Sequence, residues 1–282
     1  MIAAIGDLVE DIVVHLGGPI AVASDTESVV LRRRGGSAAN VCAAAAFVDH
    51  RPTRFIGQVG DDPAGEMLTG MMTGLGVDLA VRRRGRTGTI VVLVDQHGER
   101  TMLPDPATSK DLSDPDPAWL DGVGVLHIPL YSLLRSPMDQ AVATTAEWAR
   151  RRGIPVSIDA SSAALIQRAG VDRMVERLAG LGPHVVLANE LEARTLGDRG
   201  LDRIGAPVVV IKRGPDPAEV RHGGRADTVH ALDIGPVADT TAAGDSFAAG
   251  FLGGLADGAD PVECCRHGHR VAAAVLGAAL RP

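Results

Sequence analysis

The stretch Val237-Ala238-Asp239-Thr240-Thr241-Ala242-Ala243-Gly244-Asp245-Ser246-Phe247 decides the fold. Apolar residues before it predict an incoming strand or extended segment. After it, Phe247, Phe251 and Leu255 recur at four-residue spacing with Leu252 beside them, the apolar stripe of a helix. The junction therefore reads as a turn over Thr241 to Gly244 that opens straight into a helix N-terminus. Small residues there let backbone N–H groups face outward, and a helix end adds positive potential, so the site suits an anion. A carboxylate beside such an anion hole is repelled by a bound phosphate. Asp245 is thus placed to take a proton, and the pairing points to phosphoryl transfer to a hydroxyl. The competing reading is that Asp245 only caps its own helix.

Asp239 to Asp245 resembles the second signature of the ribokinase-like (PfkB-type) carbohydrate kinases, whose usual pattern is Asp-Thr-x-Gly-Ala-Gly-Asp. This chain departs from it at Ala242, where glycine is usual; a methyl group there narrows the anion hole. The resemblance implies an α/β fold with a mostly parallel central sheet, helices on both faces and a small β lid. It implies an ATP-dependent kinase that moves the γ-phosphoryl of MgATP to a primary hydroxyl of a sugar or sugar acid. Asp245 is then the catalytic base, with Gly244, Ala243 and Ala242 forming the anion hole. Asp239 and Thr241 are the residues the family would use to hold K⁺, although the chain ends soon after, at Pro282, which abbreviates the rest of that cation loop.

Composition agrees with a globular enzyme. The 282 residues are 45% hydrophobic and 22% charged, enough for one α/β domain with a sizeable core. Net charge is −7 and no basic block exceeds three residues, which argues against nucleic acid as a partner. Aromatic residues are only 2%, so the core must be built from Ala, Val and Leu. No apolar run is long enough for a membrane span, and the N-terminus lacks the basic start and apolar run of a signal peptide. Cys42, Cys264 and Cys265 form neither a metal spacing nor an even disulfide framework. A cytoplasmic location is the expectation.

The other landmarks fall in order. Ile2 to Ile5 reads as a buried first strand with Gly6-Asp7 as its exit. Asp11 follows, either as an acidic residue in a solvated loop or, by the resemblance, as the carboxylate that accepts hydrogen bonds from adjacent sugar hydroxyls. Ile20 to Leu31 looks like lid strands. Arg32-Arg33-Arg34-Gly35-Gly36-Ser37-Ala38-Ala39-Asn40 then runs into an alanine-rich helix, and its paired glycines let the backbone approach a ligand. This resembles the family's first signature, Gly-Gly-x-x-x-Asn, which implies that Gly35, Gly36 and Asn40 contact substrate. The glycine spacing is not that of a dinucleotide fold. A three-arginine run is ordinarily a solvated edge, although Arg33 or Arg34 could meet an acidic substrate.

Thr87 to Val94 and Thr101 to Leu103 predict a hairpin around Asp95 to Arg100. Beyond it, strands are expected at Val123–Ile128, Val156–Ile158, His184–Leu187 and Val208–Ile211. Helices are expected at about Met138–Arg151, Leu165–Leu178 and Glu190–Leu196. Alternation at this spacing predicts a mostly parallel sheet. Tyr131 follows the first of these strands, where it either lines the sugar pocket or packs. Asn189 and Glu192 match the family's Asn-x-x-Glu, which implies a nucleotide contact from Asn189 and Mg²⁺ held by Glu192 through water. In isolation the same pair reads as an Asn cap on a surface helix. Lys212 and Gly214 stand where the family approaches the nucleotide, with Pro217 in place of a second glycine. His269 lies in a late helix that the family sets against the nucleotide.

The chain is accordingly expected to form a single ribokinase-like kinase domain over residues 1–282, with lid segments at about 13–34 and 84–105. The acceptor is a small sugar, sugar acid or nucleoside, and unpaired lid edges predict a homodimer. The alternatives are a nucleoside kinase of the same fold or a non-catalytic sugar or nucleotide sensor. A dinucleotide-dependent oxidoreductase and a P-loop enzyme both lack their glycine motifs.

Overall fold

The computed structural model describes residues 1–237 and 240–279. Strand β1 (Ile2–Ile5) leads into β2 (Val9–Leu16) and β3 (Ser28–Gly35), followed by helix α1 (Ser37–Phe47). Then come β4 (Thr53–Val59), α2 (Pro63–Gly74), β5 (Asp78–Arg83), β6 (Thr89–Val94) and β7 (Arg100–Asp105). The second half alternates: β8 (Val125–Pro129), α3 (Met138–Arg151), β9 (Val156–Asp159), α4 (Ala163–Ala169), α5 (Val171–Gly180), β10 (Val185–Asn189) and α6 (Glu190–Leu196). It closes with α7 (Asp198–Ile204), β11 (Val208–Arg213), β12 (Asp216–His222), β13 (Arg225–Val229), α8 (Ala243–Ala256) and α9 (Pro261–Ala279).

The larger sheet runs β13-β12-β11-β10-β9-β8-β1-β4-β5. Its pairings are parallel except for β11–β12 and β12–β13. Alternate residues of the buried strands feed opposite cores. Val186 and Ala188 pack with α3, α5, α6 and α7, whereas Val185 and Leu187 pack with α1, α8 and α9. That two-sided burial explains why these strands read as continuous apolar runs. With few aromatics, α8 anchors the second core through Phe247 and Phe251; truncating the fully buried Phe251 to Ala should cost about 3–5 kcal/mol. Among the described residues no helix is long and apolar enough to cross a membrane.

The chain order reverses at β1, which sits between β8 and β4. Such a switch point leaves a crevice outside the carboxyl ends of the strands, where ligands of open α/β sheets bind. The smaller sheet, the lid, runs β3-β2-β6-β7. Its β2–β6 pairing is parallel, and the outer two are antiparallel. Register places Asp11 opposite Arg33 and Ile90, Val92 opposite Met102, and Val94 opposite Arg100. Asp11, Arg33, Ile90, Val92, Met102 and Arg100 therefore share one face of the lid.

Three local expectations need correction. The helix expected at Leu165–Leu178 is broken into α4 and α5 by Gly170, which adopts φ 89°. Residues 20–27 form turns rather than lid strand, and β3 begins only at Ser28 and includes the three arginines. β5, α7 and the β12–β13 hairpin carry alternating or polar sequences that the apolar-run criterion passed over. By contrast α3 spans the range its spacing predicts. Met138, Ala141, Val142, Thr145, Ala146 and Ala149 form its buried stripe, and Arg150 and Arg151 complement the dipole at its end.

Candidate active site

Helix α8 starts after Ala242, which adopts the left-handed conformation at φ 60°, ψ 10°. A side chain at such an angle costs roughly 1–2 kcal/mol relative to the right-handed region, which is the physical reason glycine is usual at this point of the signature. The Ala243 N–H is turned to Thr240 O at 3.1 Å and that of Ser246 to Ala242 O at 2.8 Å. The Gly244 and Asp245 N–H groups donate to no backbone carbonyl among the described residues. The anion hole thus opens at Gly244 and Asp245, at a helix end whose dipole favours negative charge.

Asp245 does not cap its own helix. Its Oδ1 accepts from Ser37 Oγ at 2.6 Å and its Oδ2 from Asn40 Nδ2 at 2.8 Å, both on the first turn of α1. Burial pushes its carboxyl up to about 6, and the two hydrogen bonds oppose that rise. A base with this value is ionised at neutral pH yet close enough to it to hold a proton in transit. Asn40 in turn accepts from Arg34 Nη1 at 2.8 Å through its Oδ1.

The other carboxylates arrive from the lid and from β1. Gly35 is required by close approach, since a Cβ there would stand 2.2 Å from Asp11 Oδ1. Gly36 has φ 103° and starts α1 against the Asp7 carbonyl. Asp11, placed in β2 rather than a loop, is raised to about 6 by burial and by the nearby Asp7, while Arg34 and Arg33 pull it down. Asp7 is raised by burial against the backbone amides of Ser37 and Ala38. Asp7 Oδ1 and Asp11 Oδ1 are buried without a hydrogen-bond partner among the described residues. Such acceptors fit donor hydroxyls of a polyol. Tyr131 stays 45% exposed where the chain leaves β8 and hydrogen-bonds Ser162. Burial raises its pKa first and Asp7 second, which places it at the same cleft.

The side of the cleft next to α8 is built on a buried ion pair. Lys212 Nζ donates to Asp159 Oδ2 at 2.6 Å, and Ser161 donates to Asp159 Oδ1 from both its N–H and its hydroxyl at 2.9 Å. Burial opposes both charges, but each partner outweighs it: Asp159 is held below the usual carboxylate range and Lys212 above the usual lysine range. A Cβ on Gly244 would stand 3.4 Å from Lys212 Nζ, so the lysine borders the anion hole directly. Asn189 and Glu192 form a reciprocal capping box on α6. Glu192 accepts from Asn189 N at 2.7 Å, Asn189 Nδ2 at 2.8 Å and Ser162 N at 2.8 Å. Burial raises its carboxyl, with the Asp159 charge next.

Three expected residues stand elsewhere in the geometry. Gly214 makes the left-handed turn, φ 60°, between β11 and β12 and has open space around it. His269 is buried beneath α8 and meets Phe247 edge-on at 5.0 Å. Burial lowers its pKa, and its Nε2 has no partner among the described residues. Thr241 accepts a hydrogen bond from lid residue Arg100. Asp239, its companion in the expected K⁺ site, lies outside the described residues.

Sequence reasoning missed Asp7, Ser37, Asp159 and Arg100, and read Arg34 as a solvated edge with contact to an acidic substrate as the alternative. Asp7 and Asp159 both stand at carboxyl ends of parallel strands, the position where open α/β sheets place ligand groups, and that rule could have found them. Among the described residues no three His, Cys, Asp or Glu side chains are arranged as a metal cage. Mg²⁺ keeps most of its waters and does not need one. With all of its short contacts to N–H donors, Glu192 fits an outer role toward a hydrated Mg²⁺ bound with the nucleotide phosphates. Two surface hollows, one beside Arg54 and Trp119 and one between α7 and the β12–β13 hairpin, contain none of these residues.

A family model for pfkB family carbohydrate kinases matches residues 1–279. The ATP-dependent ribose-1-phosphate kinase of Halopiger xanaduensis is 32% identical over 240 residues, 81% of this chain and 76% of that protein. The fructokinase of Klebsiella pneumoniae is 30% identical over 248 residues, 82% and 80% of the two chains. In three dimensions the adenosine kinase of Sinorhizobium meliloti superposes with a TM-score of 0.86 at 23% identity, over 98% of this chain and 93% of its own.

Proposed function

The chain belongs to the pfkB family of carbohydrate kinases and is an ATP-dependent sugar kinase; from that premise we propose that Asp245 is the base that activates a primary hydroxyl of the acceptor. The observation that carries this reading is the set of Asp245 partners: it is bonded to Ser37 and Asn40 of α1 and has no cap role on α8. Ser37 and Asn40 hold the carboxylate still, and Asp7 and Asp11 accept from other hydroxyls of the same sugar. The acceptor O–H proton passes to Asp245, the oxygen forms a bond to the γ-phosphorus, the bond from that phosphorus to the bridging oxygen breaks, and ADP leaves. The Gly244 and Asp245 N–H groups and the Lys212 ammonium face the negative charge on the transferring group. Mg²⁺ with the nucleotide would neutralise the β- and γ-oxygens, with Glu192 and Asn189 ordering its water shell. K⁺ near Thr241 would stabilise the segment leading into α8.

The lid covers the cleft from the face that carries Asp11 and Arg100, which favours exclusion of water during transfer. A second copy of the chain is the proposed partner at the open lid edges, β3 and β7, where Val30 and Leu103 are exposed at 57% and 53%. Light scattering should give twice the monomer mass at micromolar concentration, and a monomer there would remove the dimer.

Relatives named for fructose, ribose 1-phosphate and 5-dehydro-2-deoxygluconate make sugars, sugar phosphates and sugar acids the candidate acceptors. The test is ADP formation by the purified protein with MgATP and a panel of these compounds plus nucleosides. A sugar-class acceptor turned over by the parent and not by Asp245→Asn supports the reading. Nucleosides as the sole acceptors would move it to a nucleoside kinase.

A further inference from the structure

The three consecutive arginines of β3 have three different fates. Arg32 points to the outer side and pairs with Glu10, Nε to Oε1 at 2.9 Å. Arg33 stands across the strand pair from Asp11. Arg34 is half-buried beside α1, and its hydrogen bond goes to the neutral amide oxygen of Asn40. Among the described residues it has no carboxylate within ion-pair distance. Removing a guanidinium from water without a bonded anion is unfavourable. Burial lowers its pKa, opposed by Cys42, Asp245 and Asp11, and burial raises all three of those toward neutrality.

Its place in the cleft gives the charge a meaning. Lys212 borders Gly244 on the α8 side, where the mechanism proposed above sets the nucleotide phosphates. Arg34 approaches Asp245 from the α1 side, separated from it by Asn40 and two hydrogen bonds of 2.8 Å. Asn40 thus bridges Arg34 and Asp245, and Asp11 feels the positive charge of both Arg34 and Arg33. A guanidinium has five N–H donors in a planar fork that matches a carboxylate or phosphate. One of these donors is bonded to Asn40.

We propose that Arg34 selects an acceptor that carries an anionic group, a sugar phosphate or a sugar acid, with that anion at the end of the sugar remote from the hydroxyl that is phosphorylated. The inference rests on the kinase reading above and narrows its acceptor.

The test uses the full chain with MgATP and two matched acceptor pairs, D-ribose with D-ribose 1-phosphate and D-glucose with D-gluconate. The anionic member of at least one pair should be preferred in kcat/KM by about 10–100-fold, the worth of a charge-assisted bidentate contact. Preference in the first pair assigns a phosphate and in the second a carboxylate. Arg34→Gln should erase the preference, mainly through KM of the anionic member, and Arg34→Lys should restore part of it. Preference for the neutral members, or an equal loss on both members in Arg34→Gln, overturns the proposal and leaves Arg34 as a positioning residue for Asn40. A second measurement does not need turnover: calorimetric titration with methyl phosphate and with glycolate while a non-hydrolysable ATP analogue saturates the α8 end. The parent should bind one of them and Arg34→Gln should not; a parent that binds neither overturns the proposal. The kinase reading fails separately, if no sugar of any charge yields ADP.

Discussion

Glu192 and Asp245 occupy the same position, third in a helix that starts at the carboxyl-end crevice of the main sheet, and they behave oppositely. Glu192 turns back on its own helix and binds the Asn189 backbone and side chain. Asp245 turns away and takes both of its partners from α1, more than two hundred residues earlier. What separates them is the residue at the cap. Asn189 is extended and offers its side chain to the Glu192 N–H, which draws the pair into a closed box. Ala242 is left-handed and has no side-chain acceptor to offer, so the first turn of α8 keeps the Gly244 and Asp245 N–H groups off backbone carbonyls among the described residues and a carboxylate that looks outward. A helix start with a complete box serves the fold, and one left incomplete is available for chemistry.

The sharpest break of this contrast is Asp245→Asn. Loss of the base should lower kcat by ~10²–10⁴ while ATP affinity is kept or rises, because a negative charge near the γ-phosphate is gone. A change in the thermal midpoint with near-parental kcat on the true acceptor would return Asp245 to a cap role. The second test follows its pKa of about 6. Below that value kcat/KM for the acceptor should fall by about tenfold per pH unit and level off above it. Stability carries the opposite sign. A carboxyl raised from its ordinary 3.8 to about 6 contributes stability that is full below 3.8 and lost as pH rises through about 6. The midpoint of Asp245→Asn, which has nothing to ionise, should therefore gain on the parent between pH 4 and pH 7. No relative gain would contradict the buried placement of this group.

Glu192 should answer in the other currency. Glu192→Gln leaves at least one buried N–H without its acceptor, at about 1–3 kcal/mol, and each kcal/mol lowers the midpoint by about 2–4 °C. Its kcat at saturating Mg²⁺ should fall less than that of Asp245→Asn, and its Mg²⁺ requirement should rise. If kcat collapses with the midpoint unchanged, Glu192 acts at the reaction and the contrast dissolves. The smallest effect is expected from Ala242→Gly. Relief of the left-handed angle, about 1–2 kcal/mol, is partly offset by the chain entropy of glycine, about 0.5–1 kcal/mol. Turnover should stay the same or rise modestly; a strong loss would mean that the methyl group supports the anion hole.

Much of this was legible in the sequence wherever a local pattern carried it. The α3 stripe, the α6 start and the strand–turn–helix at α8 each declare themselves within about fifteen residues. Arg34 and Asp7 did not, because their meaning depends on register. Asp11 meets Arg33 only once β2 pairs with β3, and Asp245 meets Ser37 only once α1 and α8 share one face of the sheet. The β12–β13 hairpin was missed for a different reason. Its strands carry charges on the exposed side, and Gly223-Gly224 was the one signal present.

The three residues from Gly6 to Leu8 join the end of β1 to the beginning of β2, an inner strand of the lid, with almost no slack. Asp7 therefore stands at the end of a main-sheet strand and Asp11 within the lid, with one short passage between them. A diol gripped by both carboxylates would act as a latch: tilting the lid away must pull one of the two grips loose. The same sugar that presents its hydroxyl to Asp245 would thus also hold the cover shut over itself, and a compound lacking one of the two hydroxyls would rattle in an unlatched box even if it filled the space.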